Sequence, residues 1–258
     1  MKHISYSELK VWAECPFKHK LSYIDKLRRF RGNEYTAFGR SLHSLCESML
    51  QDDLREEEYN DFFEGMFGRE LEQLGDPENL REKLVEDMLE QAKKISPLIL
   101  PELVNSFGDY EVFSVEEKLY EKINDFLLDN YLFKGYIDLV IKTSDGKYHI
   151  IDWKTCSWGW NTRKRTDRMI TYQLTLYKKF FCQKHNIDPN MVETHFALLK
   201  RTVKKDNVEI FRVTSGEKKT ENATALLYRA LANIIKSNHI KNRLSCGGCE
   251  YYKTKNCP

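Results

Sequence analysis

Apolar and polar positions change rhythm near Gly108. Upstream the rhythm is helical. Phe38, Leu42, Leu45, Cys46 and Met49 recur at three- and four-residue spacing, which predicts an amphipathic helix over 36–51. Residues 5–29 predict two short helices broken at Cys15-Pro16, because proline suits a first helical turn and not a helix interior. From Asp52 to Lys94, Phe62, Phe63, Phe67, Leu71 and Leu74, then Leu80, Leu84 and Met88, mark two helices separated near Gly75-Asp76-Pro77. Their outer faces are acidic, would repel DNA, and read as solvated surface. Downstream, β-branched and aromatic residues predict strands over 110–121, 131–143, 147–154, 191–201 and 207–213. Helices are expected over 166–185 and 217–239, before a cysteine-rich tail. The expectation is an α/β (α+β) chain with a central mixed β-sheet flanked by helices. It is read as one domain over 1–258: a helical region 1–108, a sheet core 109–215, and a final helix and tail 216–258.

Charge narrows the picture. Forty-one Lys and Arg against 39 Asp and Glu leave a net charge of +2, so any polyanion site must be a local patch. No apolar run is long enough to span a bilayer, and Met1 to Glu8 lack the apolar core of a signal peptide. A cytoplasmic location is expected. Seven cysteines in a reducing compartment are then free, catalytic or metal-bound rather than paired.

The chemistry concentrates on a hairpin. Ser144-Asp145-Gly146 can form a three-residue loop with glycine in the left-handed position, which sets Thr143 against Lys147. Counting back along both strands, Asp138 lies opposite Asp152, and alternation puts Lys154 on the same face. A two-residue loop would shift the register by one and separate the acids; the three-residue loop is the reading adopted. Facing carboxylates repel each other unless a cation joins them, and Mg²⁺ or Mn²⁺ prefers such oxygens. The ion would activate water against a phosphodiester, with Lys154 orienting that water or offsetting charge in the transition state.

Other residues fit around this pair. His43 follows Gly39, which permits close approach to the sheet or to a phosphate, and its imidazole could join the two acids on a metal. Gln173 and Tyr177 share a helix face. Of Glu116 and Glu117 on the first strand, alternation allows one to face the site, and Glu117 is preferred. Trp158, Trp160, Arg163, Lys164, Arg165 and Arg168 follow the third strand. They suit stacking on unpaired bases and tracking of phosphates, or else form a solvated basic loop with the tryptophans packed beneath it. At the C-terminus Cys246, Cys249 and Cys257 form a C-x2-C-x7-C pattern, and Cys15 is the candidate fourth thiol. Zinc and an iron–sulfur cluster both fit this spacing. Cys46, Cys156 and Cys182 read as small apolar residues.

Taken in order, these motifs resemble the PD-(D/E)XK nuclease superfamily, in particular its RecB-like branch with the AddB-type and CRISPR-associated iron–sulfur exonucleases. Ser5 to Leu9 with Cys15-Pro16-Phe17 resembles the opening helix and first cluster cysteine. Gly39 to His43, Gly135 to Asp138, Asp152-Trp153-Lys154 and Gln173 to Tyr177 match G-x-x-x-H, G-x-x-D, D-x-K and Q-x-x-x-Y. The resemblance implies a restriction-endonuclease-like core with a C-terminal metal-cluster tail. It implies His43, Asp138 and Asp152 as metal ligands, Lys154 as the catalytic lysine, and Gln173 and Tyr177 as supporting or DNA-contacting residues. It also implies Cys15, Cys246, Cys249 and Cys257 as 4Fe–4S ligands, although seven residues before Cys257 exceed the family's gap. The implied activity is a metal-dependent exonuclease on single strands or DNA ends, in recombination, repair, phage DNA processing or CRISPR adaptation. No helicase motif is present, so any helicase, recombinase or CRISPR integration partner would be a separate chain. The rival reading is a non-catalytic nucleic-acid-binding protein on the same scaffold, stapled by zinc.

Overall fold

The computed structural model describes residues 2–27, 32–75, 79–123 and 131–258. Lys2–Ser5 (β1) runs straight into Tyr6–Glu14 (α1), whose first turn is capped by the Ser5 hydroxyl accepting from the Glu8 N–H. The chain breaks at Cys15, and Pro16 opens Pro16–His19 (α2), as a residue without an N–H should. Glu34–Leu50 (α3) starts from a reciprocal capping box between Asn33 and Thr36. Tyr59–Glu72 (α4), Glu82–Ile95 (α5) and Ile99–Phe107 (α6) complete the helical half. The expected break at Asp76-Pro77 lies outside the described residues, as do Arg28 and Arg29.

Tyr110–Lys122 (β2), Tyr131–Thr143 (β3) and Tyr148–Cys156 (β4) follow. Then come Thr162–Thr166 (α7), Arg168–His185 (α8), Val192–Lys200 (β5), Val208–Val213 (β6) and Glu217–Ile235 (α9). The last helix stops four residues short of expectation, and the chain turns through Ser237 at φ 55°. β1 and α6 were not anticipated: four residues are too few for a strand signal, and Pro101 sits inside the helical rhythm of α6.

β3 is the spine of the sheet. One edge pairs along its length with β2, antiparallel. The other edge is shared: β1 pairs parallel with Tyr131 to Lys134, and β4 antiparallel with Leu139 to Lys142. Gly135 to Asp138 lie between these two ladders. β4 then pairs parallel with β5, and β5 antiparallel with β6. The expected mixed sheet is therefore present, with helices on both faces. Ile150, Phe196 and Leu198 pack under α1, α8 and α9 through Leu9, Leu174 and Leu227. Ile151, Trp153 and Ala197 pack under α3 to α6 through Phe38, Phe63, Met88 and Ile99. The near-continuous apolar runs of β3 and β4 follow from this burial on two sides.

Candidate active site

The hairpin between β3 and β4 has the three-residue register. The Thr143 N–H donates to the Lys147 carbonyl, Gly146 has φ 81°, and Leu139 faces Ile151. One step further, Asp138 stands against Asp152. At that step the strand changes character. Ile137 belongs to the core under α8, whereas Leu139 belongs to the core under α3 to α6, so side-chain alternation slips at Asp138. Asp138 therefore turns into the gap at the end of the ladder. Its Oδ2 accepts the Trp153 N–H at 2.7 Å and lies 3.6 Å from His43 Nδ1.

α3 delivers His43. Its close approach depends on Gly39, where a Cβ would stand 3.2 Å from Thr155 Oγ1 on β4. α8 delivers Gln173, whose amide donates to Asp152 Oδ1 at 2.7 Å and to the Tyr177 hydroxyl at 3.3 Å. The Tyr177 ring covers Gly135, where a Cβ would fall 2.8 Å from Cε1, so only glycine fits that position of β3. Lys154 places its ammonium against Asp152 Oδ2.

Glu117 is not at this site. It pairs with Lys184 at 2.5 Å and His185 at 2.9 Å on α8, which corrects the expectation from simple alternation. Glu116 takes the place instead. Its backbone is left-handed, φ 51°, and this kink opposite Asp138 breaks the alternation on which the choice of Glu117 rested. The charge of Glu47, one helical turn beyond His43, acts on Asp138 and Glu116. Sequence reasoning missed it, although its spacing of four from His43 places it on the same helix face.

The electrostatics are those of crowded acids. Burial, and then the Asp152 carboxylate, push the Asp138 carboxyl well above the usual range. Burial, followed by Asp138 and Glu47, raises Glu116 to about 7. Burial works against the Lys154 ammonium, but Asp152 and Asp138 outweigh it and hold its pKa above the ordinary value. Burial and then Lys154 lower His43, leaving a neutral imidazole able to ligate. Asp152 Oδ2 is buried with the Lys154 ammonium against it. That oxygen, two further carboxylates and an imidazole fit a hard divalent cation. His43, Asp138 and Asp152 are neighbours rather than a compact triad. Their donor atoms do not all fall within 4.8 Å of one another, and Lys154 and Gln173 each hold an oxygen of Asp152.

The basic loop divides in two. Trp158 is 73% exposed. Trp160 is only 8% exposed and packs against Phe196 and Phe211, so it cannot stack on a base. Arg165 is likewise occupied, donating to the Trp160 carbonyl at 2.8 Å and to Glu209 at 2.6 Å. Both corrections have one cause: the neighbouring strands β5 and β6 supply the apolar and acidic partners. Lys164 lies over the Trp160 ring, Arg163 is exposed, and Arg168 lines a groove with Trp12 and Arg229.

Cys15, Cys246, Cys249 and Cys257 line one cavity of about 110 Å³ between the α1–α2 break and the tail. The Cys15 sulfur accepts from the N–H groups of Lys18 at 3.5 Å and Asn242 at 3.3 Å. No three of these thiols lie within 4.8 Å of one another. The tail is held independently by the Phe17 N–H to the Ile240 carbonyl and by the buried Tyr251 hydroxyl, which bonds Ser22 and the Leu27 carbonyl. Cys46 and Cys182 are buried and Cys156 half-buried. Among the described residues no helix is long and apolar enough to cross a membrane.

The crystal structure of a "Putative exonuclease" from Eubacterium rectale is similar to this chain, with a TM-score of 0.61 at 13% identity, covering 100% of this chain and 90% of that one. The structure of SSO0001 aligns with a TM-score of 0.46 at 14% identity, over 97% and 84% of the two chains. No curated protein matches the sequence significantly. The first likeness concerns the fold, and it agrees with a family description that reaches almost end to end: residues 3–254 match the PD-(D/E)XK nuclease superfamily, and the chain belongs to it.

Proposed function

We propose that this nuclease is a divalent-metal-dependent deoxyribonuclease acting on single strands or free ends as an exonuclease. The observation that carries this reading is the buried Asp152 carboxylate. Gln173 holds one of its oxygens, and the Lys154 ammonium lies against the other. A protein that only binds nucleic acid has no use for such a set.

His43, Asp138, Asp152 and Glu116 would hold the ion. Mg²⁺ or Mn²⁺, when bound, supplies a Lewis acid for the phosphate and a more acidic water. Lys154 orients that water and offsets the negative charge that grows on the scissile phosphate. Gln173 fixes the Asp152 carboxylate, and Tyr177 backs Gln173 from Gly135. Trp158 offers an exposed ring for an unpaired base, with Arg163, Lys164 and Arg168 along the phosphates.

The four-thiol cavity is proposed to hold a 4Fe–4S cluster. Cys15, Cys246, Cys249 and Cys257 around one cavity would be its ligands, with zinc as the alternative. Its loss would loosen the join between the two chain ends.

The test is digestion of end-labelled single- and double-stranded DNA with Mg²⁺ or Mn²⁺, beside Asp152→Ala. Metal-dependent release of end label by the parent alone supports the reading. No cleavage, or equal cleavage by the variant, sinks it. Iron and sulfide analysis of anaerobically purified protein separates cluster from zinc.

A further inference from the structure

A second set of ligating side chains lies on the opposite face of the sheet from Asp152. His149 near the start of β4, and Glu193 and His195 on β5, all point toward α6. One nitrogen from each imidazole and one Glu193 oxygen lie within 4.8 Å of one another. His149 Nδ1 and His195 Nε2 are 3.1 Å apart. Phe107, the last residue of α6, packs on both rings with centroids at 4.9 and 5.0 Å. Both histidines are buried.

The hydrogen bonds fix which nitrogen of His149 faces inward as a lone pair. Thr143 Oγ1 is 2.6 Å from Asp145 Oδ1, and an ionised carboxylate only accepts, so the hydroxyl proton goes there. The hydroxyl oxygen must then accept from His149 Nε2–H, 3.1 Å away. His149 Nδ1 is left unprotonated and aimed at His195. A ligating histidine is commonly oriented in this way, with its outer N–H donated to an oxygen and its inner nitrogen free. The 3.1 Å contact is then His195 Nε2–H donating to His149 Nδ1; a bound ion would displace that proton to the outer nitrogen or to solvent, and both inner lone pairs would face one point beside Glu193.

The surrounding charges select among ions. Glu193 Oε1 already faces Arg212 at 3.2 Å and Lys147 at 3.7 Å. These cations oppose an ion held by charge alone, such as Mg²⁺. Two imidazoles with one carboxylate suit a nitrogen-preferring metal. We propose that His149, Glu193 and His195 form a zinc site, separate from the nuclease centre, with water completing a four-coordinate shell. Zinc there would clamp β4 to β5 beneath α6.

The test uses the full chain. Crystals soaked in Zn²⁺ should give an anomalous peak bounded by these three residues. In solution, zinc counted after equilibrium dialysis should be one per chain lower for Glu193→Gln and for His195→Asn than for the parent. Thiols and the nuclease centre take up zinc equally in all three, so the difference reports this site. Glu193→Gln guards against misfolding, because its side chain lies at the rim. An empty position in the soaked crystal, with the two imidazoles still hydrogen-bonded, overturns the proposal. Equal zinc counts in parent and variants do the same.

Discussion

The Trp153 backbone N–H donates to Asp138 Oδ2 at 2.7 Å, where the β3–β4 ladder ends. An uninterrupted antiparallel ladder would send that N–H to the Ile137 carbonyl. The carboxylate is thus positioned by the backbone of the neighbouring strand. Asp138→Asn keeps a carbonyl oxygen for Trp153 and removes a charged ligand. Its Tm should stay within a few degrees of the parent, while kcat/KM for DNA cleavage falls at least ~100-fold, beyond the ~10–100-fold seen when mere supporting groups are lost. Asp138→Ala should cost a further ~1–3 kcal/mol, because the buried N–H loses its acceptor. Cleavage kinetics and chemical denaturation measure the two effects separately.

Glu116 and Glu117 should behave oppositely. Glu116→Gln weakens Mg²⁺ or Mn²⁺ binding and slows cleavage, with little change in fold. Glu117→Gln leaves cleavage near the parent rate and lowers stability by about 1 kcal/mol, through lost charge-assisted bonds to Lys184 and His185. Metal titration monitored by calorimetry, run on both variants, decides it. Reversed phenotypes would return the site to Glu117.

Protonation gives a third prediction. Glu116 titrates near 7 in the fold and near 4.5 when free, so between those values the native state binds a proton that the unfolded chain has released. Its contribution to stability therefore falls as pH rises through that window. Asp138 acts with the same sign. His43, lowered by burial, acts with the opposite sign as pH falls below its ordinary value. The informative quantity is the difference in unfolding free energy between the parent and Glu116→Gln, which should decline from pH 5 to pH 7.5. Binding of Mg²⁺ expels the proton, so its affinity should rise over the same range, and saturating Mg²⁺ should flatten the slope.

Much of this was legible before any coordinates. The hairpin register followed from counting outward from Gly146, and α3, α8 and the five later strands followed from apolar rhythm. Gly135 to Asp138 and Gln173 to Tyr177 were legible as motifs, and the structure explains their joint spacing: the Tyr177 ring needs the missing Cβ of Gly135. What alternation could not give was a kink. The left-handed backbone at Glu116 and the slip at Asp138 are set by strand pairing, and period-two counting has no term for either. β1 escaped for a related reason, since it exists only because the free stretch of β3 accepts it. Gly135→Ala makes the point testable. The added methyl should cost about 1–3 kcal/mol by overpacking and reduce cleavage by disturbing Gln173 on Asp152. Adding Tyr177→Ala should recover part of the stability without recovering the activity.

Trp158 and Trp160 stand two residues apart in the same loop and should differ in kind. Trp160 is packed between Phe196 and Phe211, so Trp160→Ala should destabilise the protein by about 3–5 kcal/mol. Trp158 projects into solvent, and Trp158→Ala should leave the Tm unchanged. If its ring carries an unpaired base, the variant should bind a single-stranded oligonucleotide more weakly by about 1–3 kcal/mol, roughly five- to 150-fold. Fluorescence anisotropy with labelled oligonucleotide, in EDTA to prevent cleavage, gives that ratio directly. Double-stranded DNA without frayed ends should show little difference, because its bases are not available to stack. A loss equal on both substrates would make Trp158 a general contact, and no loss on either would move the strand's path to the groove lined by Trp12, Arg168 and Arg229.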